Sequence, residues 1–174
     1  NDATTLCNYG LLQQNVHSNF ASAEHKYRRA LDMDPNHAVA LYNLARLQQD
    51  VAGDFNSSEE LFRRSLAAAP DQAHVLCSYG LLRLNCYKDV DAAEGLYRRA
   101  LAVDPYHVAT LYNYGSLLEG ARQNFSGAEE MYQRVLAVSP SHMSTLSNYG
   151  GLLHTVSRDY EAAESMYKRA LDKD

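Results

Sequence analysis

Four prolines stand at Pro35, Pro70, Pro105 and Pro140, each 35 residues after the one before. Proline has no backbone N–H and its ring clashes with the preceding helical turn, so each one marks a place where a helix must stop. The rest of the chain keeps the same metre. Leu6, Leu41, Leu76, Leu111 and Leu146 fall in line, followed four residues later by Gly10, Ala45, Gly80, Gly115 and Gly150. Leu12, Leu47, Leu82, Leu117 and Leu152 make a third series. Further along come Ala23, Ser58, Ala93, Ala128 and Ala163, then Tyr27, Phe62, Tyr97, Tyr132 and Tyr167, and finally Leu31, Leu66, Leu101, Leu136 and Leu171. Self-similarity at such a period marks a repeat architecture, in which each unit buries its apolar face only against its neighbours. Five units, 3–37, 38–72, 73–107, 108–142 and 143–174, account for nearly the whole chain.

Each unit reads as a helix hairpin. Leu6, Tyr9, Leu12 and Val16 recur at steps of three or four, as do Ala23, Tyr27, Ala30 and Leu31; that spacing puts them on one helical face. A polar turn separates the two runs, such as Asn15 to Asn19 or Ala52-Gly53-Asp54. Acid-first pairs four apart support an exposed face on the second helices: Glu24–Arg28, Glu59–Arg63, Glu60–Arg64, Glu94–Arg98, Glu130–Arg134 and Glu164–Lys168. Glycine inside a helix costs about 1 kcal/mol against alanine. Its return in four of five units at one position therefore predicts close approach of a neighbouring helix and its Tyr or Phe. The expected fold class is all-α: five stacked helix-turn-helix repeats in a right-handed α-α superhelical solenoid, one continuous array over 1–174.

The string Ala40-Leu41-Tyr42-Asn43-Leu44-Ala45, with Phe55, Ser58, Phe62, Ser65 and Asp71 after Pro70, resembles the tetratricopeptide repeat (TPR) pattern. The resemblance recurs five times. It departs from the family in two respects: the usual unit has 34 residues, with the extra one here falling around the turn between helices, and the usual tryptophan is leucine throughout. A 35-residue period also suits pentatricopeptide RNA-binding repeats, but those lack this Pro-terminated Ala-Leu ending and have a basic inner groove.

The resemblance implies that first helices line a concave groove that holds other protein chains. One groove rung then reads Asn8, Asn43, Ser78, Asn113 and Asn148; the rung before it includes Tyr42 and Tyr112; a third includes Leu11, Arg46 and Leu81. A carboxamide both donates and accepts, so this asparagine ladder could pair with the backbone of an extended peptide; equally, asparagine at this position can fix adjacent helices to each other. With helices about 10 Å apart and a strand rise of ~3.3 Å, about three ligand residues pass each rung. Only Arg46 among these positions is basic, so the carboxylate clamp known in this family is absent and the groove suits apolar side chains. The expected function is a protein–protein interaction scaffold that binds an extended peptide or a partner helix. The alternatives are a structural subunit of a large assembly, held through its ends and convex face, and the targeting arm of a larger enzyme. No polar cap covers Leu171 or the first unit, and solenoids need caps for solubility; a longer array or end-to-end self-association is expected.

The remaining chemistry-bearing residues have plainer readings. Ten of the sixteen basic residues, among them Arg28, Arg29, Arg64, Arg134 and Arg169, sit on second helices and read as a solvated face. Tyr9, Tyr79, Tyr114 and Tyr149 share a core slot. His37, His107 and His142 recur one per repeat junction, too far apart to share a metal. Cys7, Cys77 and Cys86 form no C-x-x-C pair and leave one over, which reads as free thiols in a reducing compartment. No phosphate loop, nucleophile–base set or paired carboxylates stand out, so neither catalysis nor a cofactor is expected. A net charge of −5 gives no attraction to a phosphate backbone, and no apolar run reaches the ~20 residues of a membrane span. An intracellular, cytoplasmic location is the expectation.

Overall fold

The computed structural model describes residues 2–172. Among them are ten α-helices: α1 (Ala3–Asn15), α2 (Phe20–Met33), α3 (Ala38–Leu47), α4 (Phe55–Ala68), α5 (Ala73–Asn85), α6 (Val90–Val103), α7 (Val108–Gly120), α8 (Phe125–Val138), α9 (Met143–Leu152) and α10 (Tyr160–Leu171). They form two compact units, Asn1–Lys88 and Asp89–Asp174, with the boundary in the turn after α5. In the first unit α1 pairs with α2 and α3 with α4, α2 packs on α3, and α4 packs on α5. In the second, α7 pairs with α8 and α9 with α10, while α6 packs on α7 and α8 on α9. The last two residues of the fifth predicted unit lie outside the described residues.

The hairpins close where the sequence places their polar turns. Ser18, Gly53, Lys88, Gln123 and Arg158, again 35 apart, adopt left-handed backbone with φ of 50–66°. The next residue caps the second helix: Asn19, Asp54, Asp89, Asn124 and Asp159 each accept a backbone N–H three residues ahead, satisfying a donor the helix itself leaves unpaired. The N–H of Asn19, Asp54, Asn124 and Asp159 donates back to the carbonyl six residues earlier, one residue wider than the Schellman closure common at helix ends. One residue thus ends one helix and starts the next. Two of the turns are π-helical, Gln48–Ala52 and Leu153–Ser157, the ring size an additional residue makes in a helical turn.

The three junction histidines have a role that periodicity alone does not show. His37, His107 and His142 are N-caps of α3, α7 and α9, their Nδ1 accepting from Ala40, Thr110 and Thr145 N–H. An imidazole can do this only through a neutral ring nitrogen.

Glycine and tyrosine fit together as expected from their shared period. A Cβ on Gly10 would lie 2.6 Å from Tyr27 Cε1, on Gly115 2.7 Å from Tyr132 Cε1, and on Gly150 2.8 Å from Tyr167 Cε1. Tyr27, Phe62, Tyr97 and Tyr132 are fully buried, as are Ala23, Ser58, Ala93 and Ala128 of the matching small-residue series. Each large side chain removed from water contributes about 1.5–3 kcal/mol. In the fifth repeat Tyr167 is 38% exposed, so the fully buried aromatic recurs in the first four.

Candidate functional site

The first-helix rungs are built by two positions that meet one repeat apart. Asn43 Nδ2 donates to Cys7 Sγ at 3.5 Å, the Tyr42 and Ser78 hydroxyls lie 3.4 Å apart, and Asn148 Nδ2 donates to Tyr112 OH at 3.3 Å. Every one of these contacts spans 36 residues. Neighbouring first helices are therefore pinned in register, α1 to α3 and α3 to α5 in the first unit, α7 to α9 in the second. Burial raises the Cys7 thiol above its ordinary value, with the Asn43 bond opposing it.

The predicted site residues separate by exposure. In the first unit Asn8 and Arg46 are exposed, Leu11, Tyr42, Ser78 and Leu81 are half-buried, and Asn43 is only 7% exposed. In the second unit Tyr112, Asn113 and Asn148 are half-buried. Tyr42 packs its ring edge-on to His74 at 4.8 Å, and Tyr112 lies 5.4 Å from the His142 ring. Arg46 reaches Asp50 at 3.5 Å. The asparagines of the ladder thus differ: Asn43 points into the joint between repeats, while Asn8 stands in solvent.

The second helices carry two periodic linkages that the sequence reading did not extract. Tyr79, Tyr114 and Tyr149 each donate to a glutamate twenty residues earlier, Glu59 at 2.7 Å, Glu94 at 3.2 Å and Glu129 at 2.8 Å. Burial pushes Tyr79 up to about 12, and its bond to Glu59 adds to this. Arg64, Arg134 and Arg169 reach back 29 residues, donating to the carbonyls of Pro35 (2.9 Å), Pro105 (2.8 Å) and Pro140 (2.8 Å). The expectation of a purely solvated basic face fails for these arginines, which staple the proline junctions. The signal was present: positions 29, 64, 99, 134 and 169 are all arginine, a strictness that solvation alone does not require.

Of the six predicted acid–base pairs, Glu24–Arg28 (2.7 Å), Glu94–Arg98 (2.6 Å), Glu130–Arg134 (3.6 Å) and Glu164–Lys168 (2.8 Å) form. Glu59 instead takes Arg83 of the next repeat at 2.8 Å, and Glu60 takes Arg63 at 3.7 Å. A partly buried carboxylate gains more from a sheltered guanidinium than from one in open solvent.

Cys7, Cys77 and Cys86 are free thiols. Among the described residues no three His, Cys, Asp or Glu side chains gather as a metal site, and no helix is long and apolar enough to cross a membrane.

Comparison with solved structures places the fold among known repeat proteins. The chain is similar to Pseudomonas aeruginosa PilF, with a TM-score of 0.88, 22% identity, and coverage of 99% of this chain and 78% of that one. PilW, a widely conserved type IV pilus biogenesis factor, matches with a TM-score of 0.84, 20% identity, and coverage of 99% and 79%. YrrB, described as a TPR protein with an unusual peptide-binding site, matches with a TM-score of 0.70, 21% identity, and coverage of 98% and 86%. At these identities the likeness is one of fold. Comparison with curated protein sequences finds no match. Two family models, both described as tetratricopeptide repeat, match residues 12–77 for one and 88–137 and 117–174 for the other. With left-handed turn residues at every 35th position and glycine facing tyrosine in the first, fourth and fifth repeats, this chain is all-α and belongs to the tetratricopeptide repeat family.

Proposed function

We propose that the chain is an interaction scaffold whose first-helix face, in the unit Asn1–Lys88, takes an extended peptide with apolar side chains. Interaction with other proteins is the general role of tetratricopeptide arrays, and the finer reading rests on one observation. The contacts Asn43–Cys7 and Tyr42–Ser78 hold α1, α3 and α5 in register, so Asn8 and Leu11, Tyr42 and Arg46, and Ser78 and Leu81 form successive rungs of a preset strip. Preset geometry lowers the ordering cost that a bound peptide otherwise incurs. Half-buried Leu11, Tyr42 and Leu81 offer apolar area, Asn8 and Ser78 offer backbone-pairing groups, and Arg46 is the one cation of the strip.

In this reading the ladder divides its labour. Asn43 sets register from within the joint, and Asn8 and Ser78 face the ligand. Peptides selected by phage display on the intact chain supply the test. Calorimetry is expected to show the Leu11→Asp, Leu81→Asp double variant binding such a peptide at least about tenfold more weakly, with unchanged helicity. Equal affinity in the variant would remove this face from consideration.

A further inference from the structure

A cleft lies between the second helices α2 and α4, away from the strip just described. It has a volume of ≈ 710 Å³ and a floor of Leu31, Leu44, Gln48 and Leu61. The corresponding cleft two repeats later, between α6 and α8, is less than half as large at ≈ 310 Å³, and its floor includes Tyr114, Leu118 and Met131. The two clefts differ at several positions of the period: Ala52 stands where Arg122 reaches Glu94, Gln48 where Leu118 lies, and one slot changes from aromatic to aliphatic. The slot that holds Tyr9, Tyr79, Tyr114 and Tyr149 holds Leu44 in the second repeat. Tyr114 fills its cleft with a ring and donates its hydroxyl to Glu94. At the equivalent place Glu24 is satisfied from elsewhere, by Gln48 Nε2 at 3.0 Å and Arg28 at 2.7 Å. With Leu44 in that slot the cleft stands open above an apolar floor, and the polar groups beneath it are already paired.

The rim is cationic on balance. Arg28, Arg29 and Arg64 stand around it, with His25, against Asp32 and Glu60. Arg64 is engaged by Pro35 and Arg28 by Glu24, whereas Arg29 has no hydrogen-bond or ion-pair partner among the described residues.

We infer that the α2–α4 cleft receives an aromatic side chain from a partner peptide that carries carboxylates on either side of it. The ring occupies the space that the chain's own tyrosine fills at the matching interface, and the flanking acids pair with Arg29 and the outward N–H groups of Arg28. This site is separate from the first-helix strip and does not depend on it.

The test is an NMR titration of the intact, isotope-labelled chain with three pentapeptides. One has tyrosine flanked on each side by two glutamates, the second has alanine in place of that tyrosine, and the third has lysines in place of the glutamates. The acidic tyrosine peptide is expected to move amides of α2 and α4 and of Leu44 to Gln48, and each of the other two to bind at least about tenfold more weakly. Leu44→Tyr, which installs the residue found at this slot in the other repeats, is expected to abolish the shifts and to raise Tm by filling the cleft. Arg29→Ala, exposed and unpartnered, is expected to weaken binding about three- to tenfold without loss of helicity, and this holds as a test even if Leu44→Tyr fails to fold. Equal binding of the alanine peptide, wild-type binding by Arg29→Ala or by a folded Leu44→Tyr, no shifts at millimolar peptide, or shifts at Leu11, Tyr42 and Leu81 instead would each overturn the assignment.

Discussion

Ser58 occupies a slot that is alanine in the other four repeats, and its fully buried hydroxyl has no hydrogen-bond partner among the described residues. A buried, unpaired hydroxyl costs about 1–3 kcal/mol, and the neighbouring repeats demonstrate that a methyl group suits the space. Ser58→Ala is expected to raise stability by about 1 kcal/mol, measured by urea denaturation; a loss of stability would mean that the hydroxyl is satisfied. Ser65, also fully buried, is a control, because its Oγ donates to Ala38 O at 2.9 Å, and Ser65→Ala is expected to destabilise. Glu59 gives the second prediction at this scale. Burial alone would raise its carboxyl, but the Tyr79 hydroxyl and the Arg83 charge outweigh burial and hold it below the ordinary carboxylate value. A group depressed in the folded state contributes stability above its unfolded pKa and loses it as pH falls through the folded one. Acid should therefore erode the wild type more steeply than Glu59→Gln below the carboxylate range, and parallel stability–pH curves would contradict the linkage.

Among the elements, the closest fit is glycine against tyrosine. Helix propensity alone predicts that Gly115→Ala stabilises α7 by about 1 kcal/mol. The structure predicts the opposite sign. The new methyl would meet the Tyr132 ring at 2.7 Å, and that ring is fully buried with its hydroxyl tied to Glu119 at 2.7 Å, so it has nowhere to retreat. Overpacking of this sort costs about 1–3 kcal/mol. In the second repeat the corresponding positions hold Ala45 and Phe62, and phenylalanine has no hydroxyl to pin it. A double-mutant cycle with Tyr132→Phe should show part of the loss recovered. A stabilising Gly115→Ala would dispose of the close-approach account. The caps belong to the same scale. A left-handed residue followed by Asn or Asp closes each hairpin; the polar turn was legible in the sequence because turn chemistry is local, but the left-handed residue was not, since Ser18, Lys88, Gln123 and Arg158 are not types that favour that backbone. The histidine caps were legible only as a period, since nothing in composition says that a ring nitrogen will stand where an oxygen usually does.

For the whole molecule, the period carries most of the information. Proline stops, acid-first pairs and matched small and aromatic positions define helix hairpins and their buried faces, because each unit repeats the same local instructions and buries its surface against its neighbours. Residues whose partners lie within a hairpin or at fixed helical spacing were therefore readable, as with Gly10 and Tyr27 or Glu94 and Arg98. Partners in the next repeat were not. Glu59 turns to Arg83, Arg134 to Pro105 and Asn43 to Cys7; these meetings depend on how far one hairpin is rotated and shifted against the next. That offset is set by the packing of bulky side chains, and a one-dimensional period does not contain it. The sequence by itself thus determined the helices, their order, the family and the buried faces of the inner repeats, whereas Tyr9, Leu12 and Val16 of α1 and Tyr167 and Leu171 of α10, expected on buried faces, are exposed. Only the tertiary structure decided which ladder asparagine faces solvent, which arginines hold a junction, and that the repeat with Leu44 in the tyrosine slot carries an open cleft, because each of these is a distance between repeats.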